Sequence, residues 1–144
     1  MARVLALDFG EKRIGAALSD ATTTIASPYG YVKVREDTEG TIDQVRQLCV
    51  EKEVNRIIVG LPLNMDGEEG GSAGRARAFG AALEANLGLP VEYVDESYTT
   101  AAAERLLINS GVSRRKRKGK VDSIAAAMIL QTWLEGQTPQ VFDA

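Results

Sequence analysis

The chain has 144 residues, 44% hydrophobic and 26% charged, the size and balance of one soluble globular domain. It contains no histidine, which excludes a Ser-His-Asp triad, a histidine general base and a His-ligated zinc site. A single cysteine excludes an intrachain disulfide, and a net charge of −3 does not mark the whole molecule as a polyanion binder.

The first predicted strand, Val4 to Gly10, carries Asp8 inside an apolar run and ends in a glycine turn. Strands disfavour Asp, and burying an uncompensated carboxylate costs roughly several kcal/mol. Asp8 is therefore either a turn cap bonded to nearby N–H groups or a cation ligand at a strand end. Glu11, Lys12 and Arg13 lead into a second run, Ile14 to Asp20, which reads as the return strand of a hairpin. Ala21 to Pro28 is polar and β-branched, a predicted loop, and Tyr29 to Val34 is a third strand. Thr41 with Gln44 has capping-box form and opens a helix with Ile42, Val45, Leu48 and Cys49 on one face. Arg56 to Gly60 is nearly all apolar, as a parallel strand covered on both faces should be.

Gly60-Leu61-Pro62 ends that strand, and Leu63 to Gly71, which contains Asn64, makes a Gly-rich acidic loop. Ser72 is the predicted cap of the next helix, with Phe79, Leu83 and Leu87 on its buried face and Gly88 at its end. Val91 to Val94 is a strand that runs into Asp95 and Glu96. A short helix from Thr99 or Thr100 to Ile108 follows, then a basic run, then a final helix from Val121 to Glu135. One domain over residues 1–138 with a short tail, 139–144, is the expected organisation. Met1-Ala2-Arg3 leads straight into a strand without separate signal regions, and the longest apolar stretch, Ile124 to Leu130, is too short to span a membrane. With the lone cysteine, these features make the cytoplasm the expected compartment.

Strands alternating with helices in the second half predict a parallel core, with the opening hairpin adding antiparallel strands at one side. Ligands of such sheets gather at the carboxyl ends of the parallel strands, where Asp8, Gly60-Leu61-Pro62 and Glu96 all lie. Asp95 and Glu96 project to opposite sides by pleat alternation, so one of them can face a site beside Asp8. Asp122, in the first turn of the last helix, either complements the helix dipole or is carried to the same edge by the small face of Ala125, Ala126 and Ala127. Three carboxylates without His or Cys suit Mg²⁺ or Mn²⁺, and two such ions support in-line displacement at phosphorus.

The basic run, Arg114, Arg115, Lys116, Arg117, Lys118 and Lys120, holds six of the 17 basic residues, leaving 11 against 20 acidic ones elsewhere. It is either a solvated loop or a grip for a phosphate backbone.

Leu7-Asp8-Phe9-Gly10 with Lys12 and Ile14-Gly15, Ile58 to Gly67, Asp95-Glu96 with Thr99-Thr100, and Lys118 to Ala126 together resemble the YqgF/RuvX family. The match runs in order over nearly the whole chain, and its Gly-Leu-Pro-Leu-Asn segment is highly specific. The resemblance implies an α/β, RNase H-like mixed five-stranded sheet of order 3-2-1-4-5, with strand 2 antiparallel and helices on both faces. It implies a metal-dependent nuclease acting on Holliday junctions or on the precursor of small-subunit ribosomal RNA, with Asp8, Glu96 and Asp122 as acidic triad and metal ligands. Lys12, Arg13, Asn64 and the basic run are the candidate substrate-binding residues. The family usually has Asp-Glu-Arg where this chain has Asp95-Glu96-Ser97, so a guanidinium that would hold phosphate is missing there. A junction resolvase acting on two strands favours a symmetric homodimer.

Two other classes remain open on sequence. The actin and sugar-kinase superfold also places Asp-x-Gly after a strand, which Asp8 and Gly10 fit, but it needs two related domains. A non-catalytic nucleic-acid-binding module needs only the basic run. Metal-dependent cleavage separates it from a nuclease.

Overall fold

The computed structural model describes residues 3–10, 12–62, 70–95 and 114–137, the stretch 114–122 as helix backbone. Five strands form one sheet: β1 (Arg3–Phe9), β2 (Arg13–Ser19), β3 (Ala26–Lys33), β4 (Val54–Leu61) and β5 (Val91–Asp95). Their order is β3-β2-β1-β4-β5, with β2 antiparallel to its neighbours and β1, β4 and β5 parallel, as the resemblance implies. The helices are α1 (Thr38–Glu51), α2 (Gly71–Leu87) and α3 (Arg114–Gln137). The predicted helix at Thr99 to Ile108, most of the Gly-rich acidic loop and the tail lie outside the described residues.

Pleat alternation sorts the sheet into two cores. Leu5, Leu7, Ile14, Ile57 and Val59 face α1 and α2, which contribute Ile42, Val45, Leu48, Cys49, Phe79 and Leu83. Val4, Ala6, Ala17 and Ile58 face α3, which contributes Ala126, Ile129, Leu130 and Leu134. Burying each large aliphatic side chain stabilises the fold by about 1.5–3 kcal/mol, so the two layers hold the sheet between them. The small side chains Ala6, Ala17 and Ala126 let α3 approach closely. Burial pushes the Cys49 thiol up to about 11, so it stays protonated and acts as a core residue. Among the described residues no helix is long and apolar enough to cross a membrane.

Boundaries differ from expectation at α1, α2 and β3, among other elements. Helix α1 starts at Thr38 rather than Thr41, and its N-cap Asp37 makes no side-chain cap bond. Thr41 is buried inside the helix, where its hydroxyl accepts the Arg35 N–H at 2.8 Å, so its polar group serves the entering chain. Gly70, not Ser72, is the N-cap of α2, and Ser72 accepts from the Arg75 guanidinium at 3.2 Å instead. Strand β3 begins at Ala26, within the expected loop; a register shift between Ala16 and Ala17 accommodates the irregularity, and Pro28 is tolerated because β3 is an edge strand.

Two glycines of α2 make opposite predictions. A Cβ on Gly80 would lie 2.5 Å from the Tyr93 hydroxyl and 2.9 Å from its ring, which Arg77 holds by a carbonyl bond at 3.3 Å and a guanidinium stacked 4.9 Å away. Overpacking of about 1–3 kcal/mol should outweigh a propensity gain of about 1 kcal/mol, so Gly80→Ala destabilises by about 1 kcal/mol. A Cβ on Gly74 meets nothing within 4 Å, so Gly74→Ala should stabilise by up to about 1 kcal/mol. Urea unfolding of the two variants checks the difference in sign.

Candidate active site at the carboxyl edge of the sheet

Asp8 is the penultimate residue of β1 and shares the α3-facing side of the strand with Val4 and Ala6. It is 8% exposed. Register pairs it with Gly15 on β2, and the pairing of Leu7 with Val59 puts Gly60 beside it on β4. Gly60 in turn pairs with Val94 on β5. Asp8 thus sits between two glycines, with no side chain walling it on either neighbouring strand.

The turn beyond Asp8 is closed by backbone, with the Gly10 N–H donating to the Arg13 carbonyl at 3.1 Å. A Cβ on Gly10 would lie 2.6 Å from that carbonyl oxygen, so only glycine allows the closure. Among the described residues no hydrogen bond or ion pair reaches the Asp8 carboxylate. The turn-cap reading therefore has no support among them. A buried, unpaired carboxylate costs roughly several kcal/mol, and a cation is the usual compensation.

The open choice between Asp95 and Glu96 is narrowed by parity. Val91 and Tyr93 pack on the α1–α2 side and Val94 on the α3 side. Asp95, in register with Leu61 of the α1–α2 core, thus belongs to the face opposite Asp8. Glu96 and Asn64 lie outside the described residues.

Helix α3 corrects the reading of the basic run. It starts at Arg114, not Val121, so the run forms its first two turns rather than a preceding loop. Arg and Lys are good helix formers, and the single Gly119 costs only about 1 kcal/mol against them. Asp122 is consequently not a first-turn residue, and the first turn holds no acid. Dipole stabilisation fades within one turn and does not explain an acid at this position.

The far half of α3 is anchored at the amino end of β1. Gln131 accepts the Ala26 N–H at 3.1 Å, and Arg56, which pairs with Val4, stacks 5.8 Å from the Trp133 ring. From Trp133 back to position 122 the helix rises about 16 Å, while β1 advances about 13 Å from Val4 to Asp8. A helix aligned with β1 brings its backbone at 122 near the level of Asp8. By helical period, position 122 falls on the stripe of the buried Ala125, Ala126 and Ile129. Positions 118 and 115 share that stripe, whereas 117 and 120 fall on the other side.

Of the other candidate substrate-binding residues, Lys12 is exposed in the hairpin bend. Arg13 begins β2 on the Asp8 side, its guanidinium 5.5 Å from the centre of the Tyr31 ring. Tyr31 carries no motif, and only strand register brings it into the row of Gly15 and Asp8. A cavity of about 90 Å³ lined by Phe9, Gly10, Ser72 and Arg75 opens at the same end of β1. A larger one, about 440 Å³ beside Cys49, Val54 and Leu87, lies at the opposite edge of the sheet.

The model of a family described as RuvX, Holliday junction resolvase, matches residues 2–136. A protein of Pelotomaculum thermopropionicum is 42% identical over 94% of this chain and 88% of its own length. One of Anaeromyxobacter sp. (strain Fw109-5) is 46% identical over 94% of this chain and 98% of its own, and both are named as candidate pre-16S rRNA nucleases. Among solved structures, Thermus thermophilus RuvC in complex with a Holliday junction substrate superposes with a TM-score of 0.55 at 14% identity, covering 95% of this chain and 96% of that one. At that identity the likeness is one of fold, the RNase H-like sheet.

Proposed function

The chain belongs to the RuvX family of Holliday junction resolvases and is a nuclease; from that premise we propose that it cuts structured nucleic acid with Mg²⁺ or Mn²⁺ held at Asp8. The single observation carrying this reading is the buried Asp8 carboxylate, flanked by Gly15 and Gly60 and unpaired among the described residues. Its oxygen donors suit a hard cation, and the paired glycines leave room for an ion and a phosphate oxygen. Glu96, next in sequence to Asp95, and Asp122, on the α3 stripe of Ala125, Ala126 and Ile129, would complete the acidic set. When bound, the metal supplies an activated water and stabilises the attacking and leaving oxygens.

The remaining work falls to the chain's own side chains. Arg13 and the first turns of α3 carry positive charge to the same edge, where they bind and orient the phosphate backbone. The buried floor of Asp8 and the two glycines excludes bulk water beneath the bond to be cut. The names of the relatives favour the precursor of 16S rRNA as substrate, and the family description favours a four-way DNA junction.

Cleavage of a labelled precursor RNA and of a four-way DNA junction by the purified protein tests the reading. Activity should require added Mg²⁺ or Mn²⁺, vanish in excess EDTA and survive a zinc-selective chelator, because the site offers oxygen ligands only. Full cleavage in EDTA would refute the metal site.

A further inference from the structure

We propose that Tyr31, backed by Arg13 and flanked by Lys33, is a stacking platform for an unpaired base of the substrate next to the cleavage site. The inference rests on the nuclease reading above and adds a recognition element to it. Tyr31 is 46% exposed on the edge strand β3, a large aromatic ring left to solvent. It pairs with Gly15, and Gly15 pairs with Asp8, so the ring and the carboxylate belong to one row across three strands. Two strand spacings put them about 10 Å apart, with only a glycine between. At 3.4 Å per stacked nucleotide that is about three nucleotides along a strand, fewer where the chain is splayed.

Charge placement points to an anion in the same place. Arg13 and Lys33 are directly paired across β2 and β3. The Arg13 guanidinium lies 5.5 Å from the centre of the Tyr31 ring, so positive charge adjoins the aromatic face. The phosphate next to a base stacked on Tyr31 would meet that positive charge. Arg13 covers one side of the ring, and a base would stack on the other. An aromatic face with flanking cations is the arrangement by which proteins hold unpaired nucleotides with little sequence preference.

The test uses 2-aminopurine placed one to four nucleotides from the cleaved bond in a substrate with an unpaired segment, alongside a fully paired duplex. Wild-type protein should quench one position, and Tyr31→Phe should preserve both the quench and the affinity. Tyr31→Ala should lose the quench and bind the unpaired substrate about 5- to 150-fold more weakly, with the paired duplex changed less than about twofold. Wild-type affinity in Tyr31→Ala, equal losses on both substrates, or a Phe variant that behaves like Ala would overturn the platform. If the wild-type protein binds and cuts while Tyr31→Ala matches it, only this proposal falls. If the wild-type protein binds neither substrate, the nuclease reading falls with it.

Discussion

Asp8→Asn should abolish cleavage while leaving the protein folded and no less stable. The change is nearly isosteric and removes a buried charge that, among the described residues, no cation or donor compensates. Without metal the wild-type carboxylate bears a desolvation cost, so the apo melting temperature should hold or rise in the variant. Loss of a metal ligand here should cost on the order of 4 kcal/mol of transition-state stabilisation, about a thousandfold in rate. Added Mn²⁺ should raise the melting temperature of the wild type by mass action and that of Asp8→Asn much less. Cleavage assays with melting curves in EDTA and in Mn²⁺ check all three outcomes. A variant that unfolds would show that Asp8 is a structural group of the hairpin and would remove the case for a metal.

The second large effect separates grip from chemistry along α3. Positions 115 and 118 share the stripe of position 122 and lie about 10 Å and 6 Å further toward the helix start. With α3 aligned with β1, position 122 is near the level of Asp8, at the edge of the sheet, so these two positions overhang that edge on the side where a substrate would lie. Arg115→Ala with Lys118→Ala should remove two phosphate contacts, lower the slope of log affinity against log salt by about 1.8 on duplex DNA, and weaken binding for all sequences alike. Arg117→Ala with Lys120→Ala, on the other side of the helix, should change the slope by less than half as much. Asp122→Asn should stop turnover while affinity holds or tightens, since it removes negative charge near phosphate. Binding isotherms at several salt concentrations read each slope. Equal slopes for the two double variants would place the contact surface elsewhere, with Arg75 beside Gly10 the next position to test.

Part of the fold and the candidate role of Asp8 are legible in the sequence. An Asp inside an apolar strand violates a local preference, and the absence of histidine confines the chemistry to carboxylates and cations. Hydrophobic period located Ile42, Val45, Leu48 and Cys49 on one face of α1, and all four are buried. Continuous apolar runs marked the parallel strands, because a strand covered on both faces has no polar side to alternate with. These features are set by residues a few positions apart, so one chain suffices to read them.

Helix starts, face assignment and cross-strand neighbours were decided only by the tertiary structure. A capping box at Thr41 and a break before Val121 are sound local patterns. The helices nevertheless begin at Thr38 and Arg114: the Thr41 hydroxyl serves the Arg35 N–H from inside α1, and the Arg and Lys residues of the basic run are themselves good helix formers. Pleat alternation says that Asp95 and Glu96 diverge, but which of them faces Asp8 depends on which core claims Val91 and Val94. The row from Tyr31 through Gly15 and Asp8 to Gly60 and Val94 joins residues up to 86 positions apart in the chain. No local periodicity encodes such a row, because register is the outcome of pairing every strand at once around a shared core.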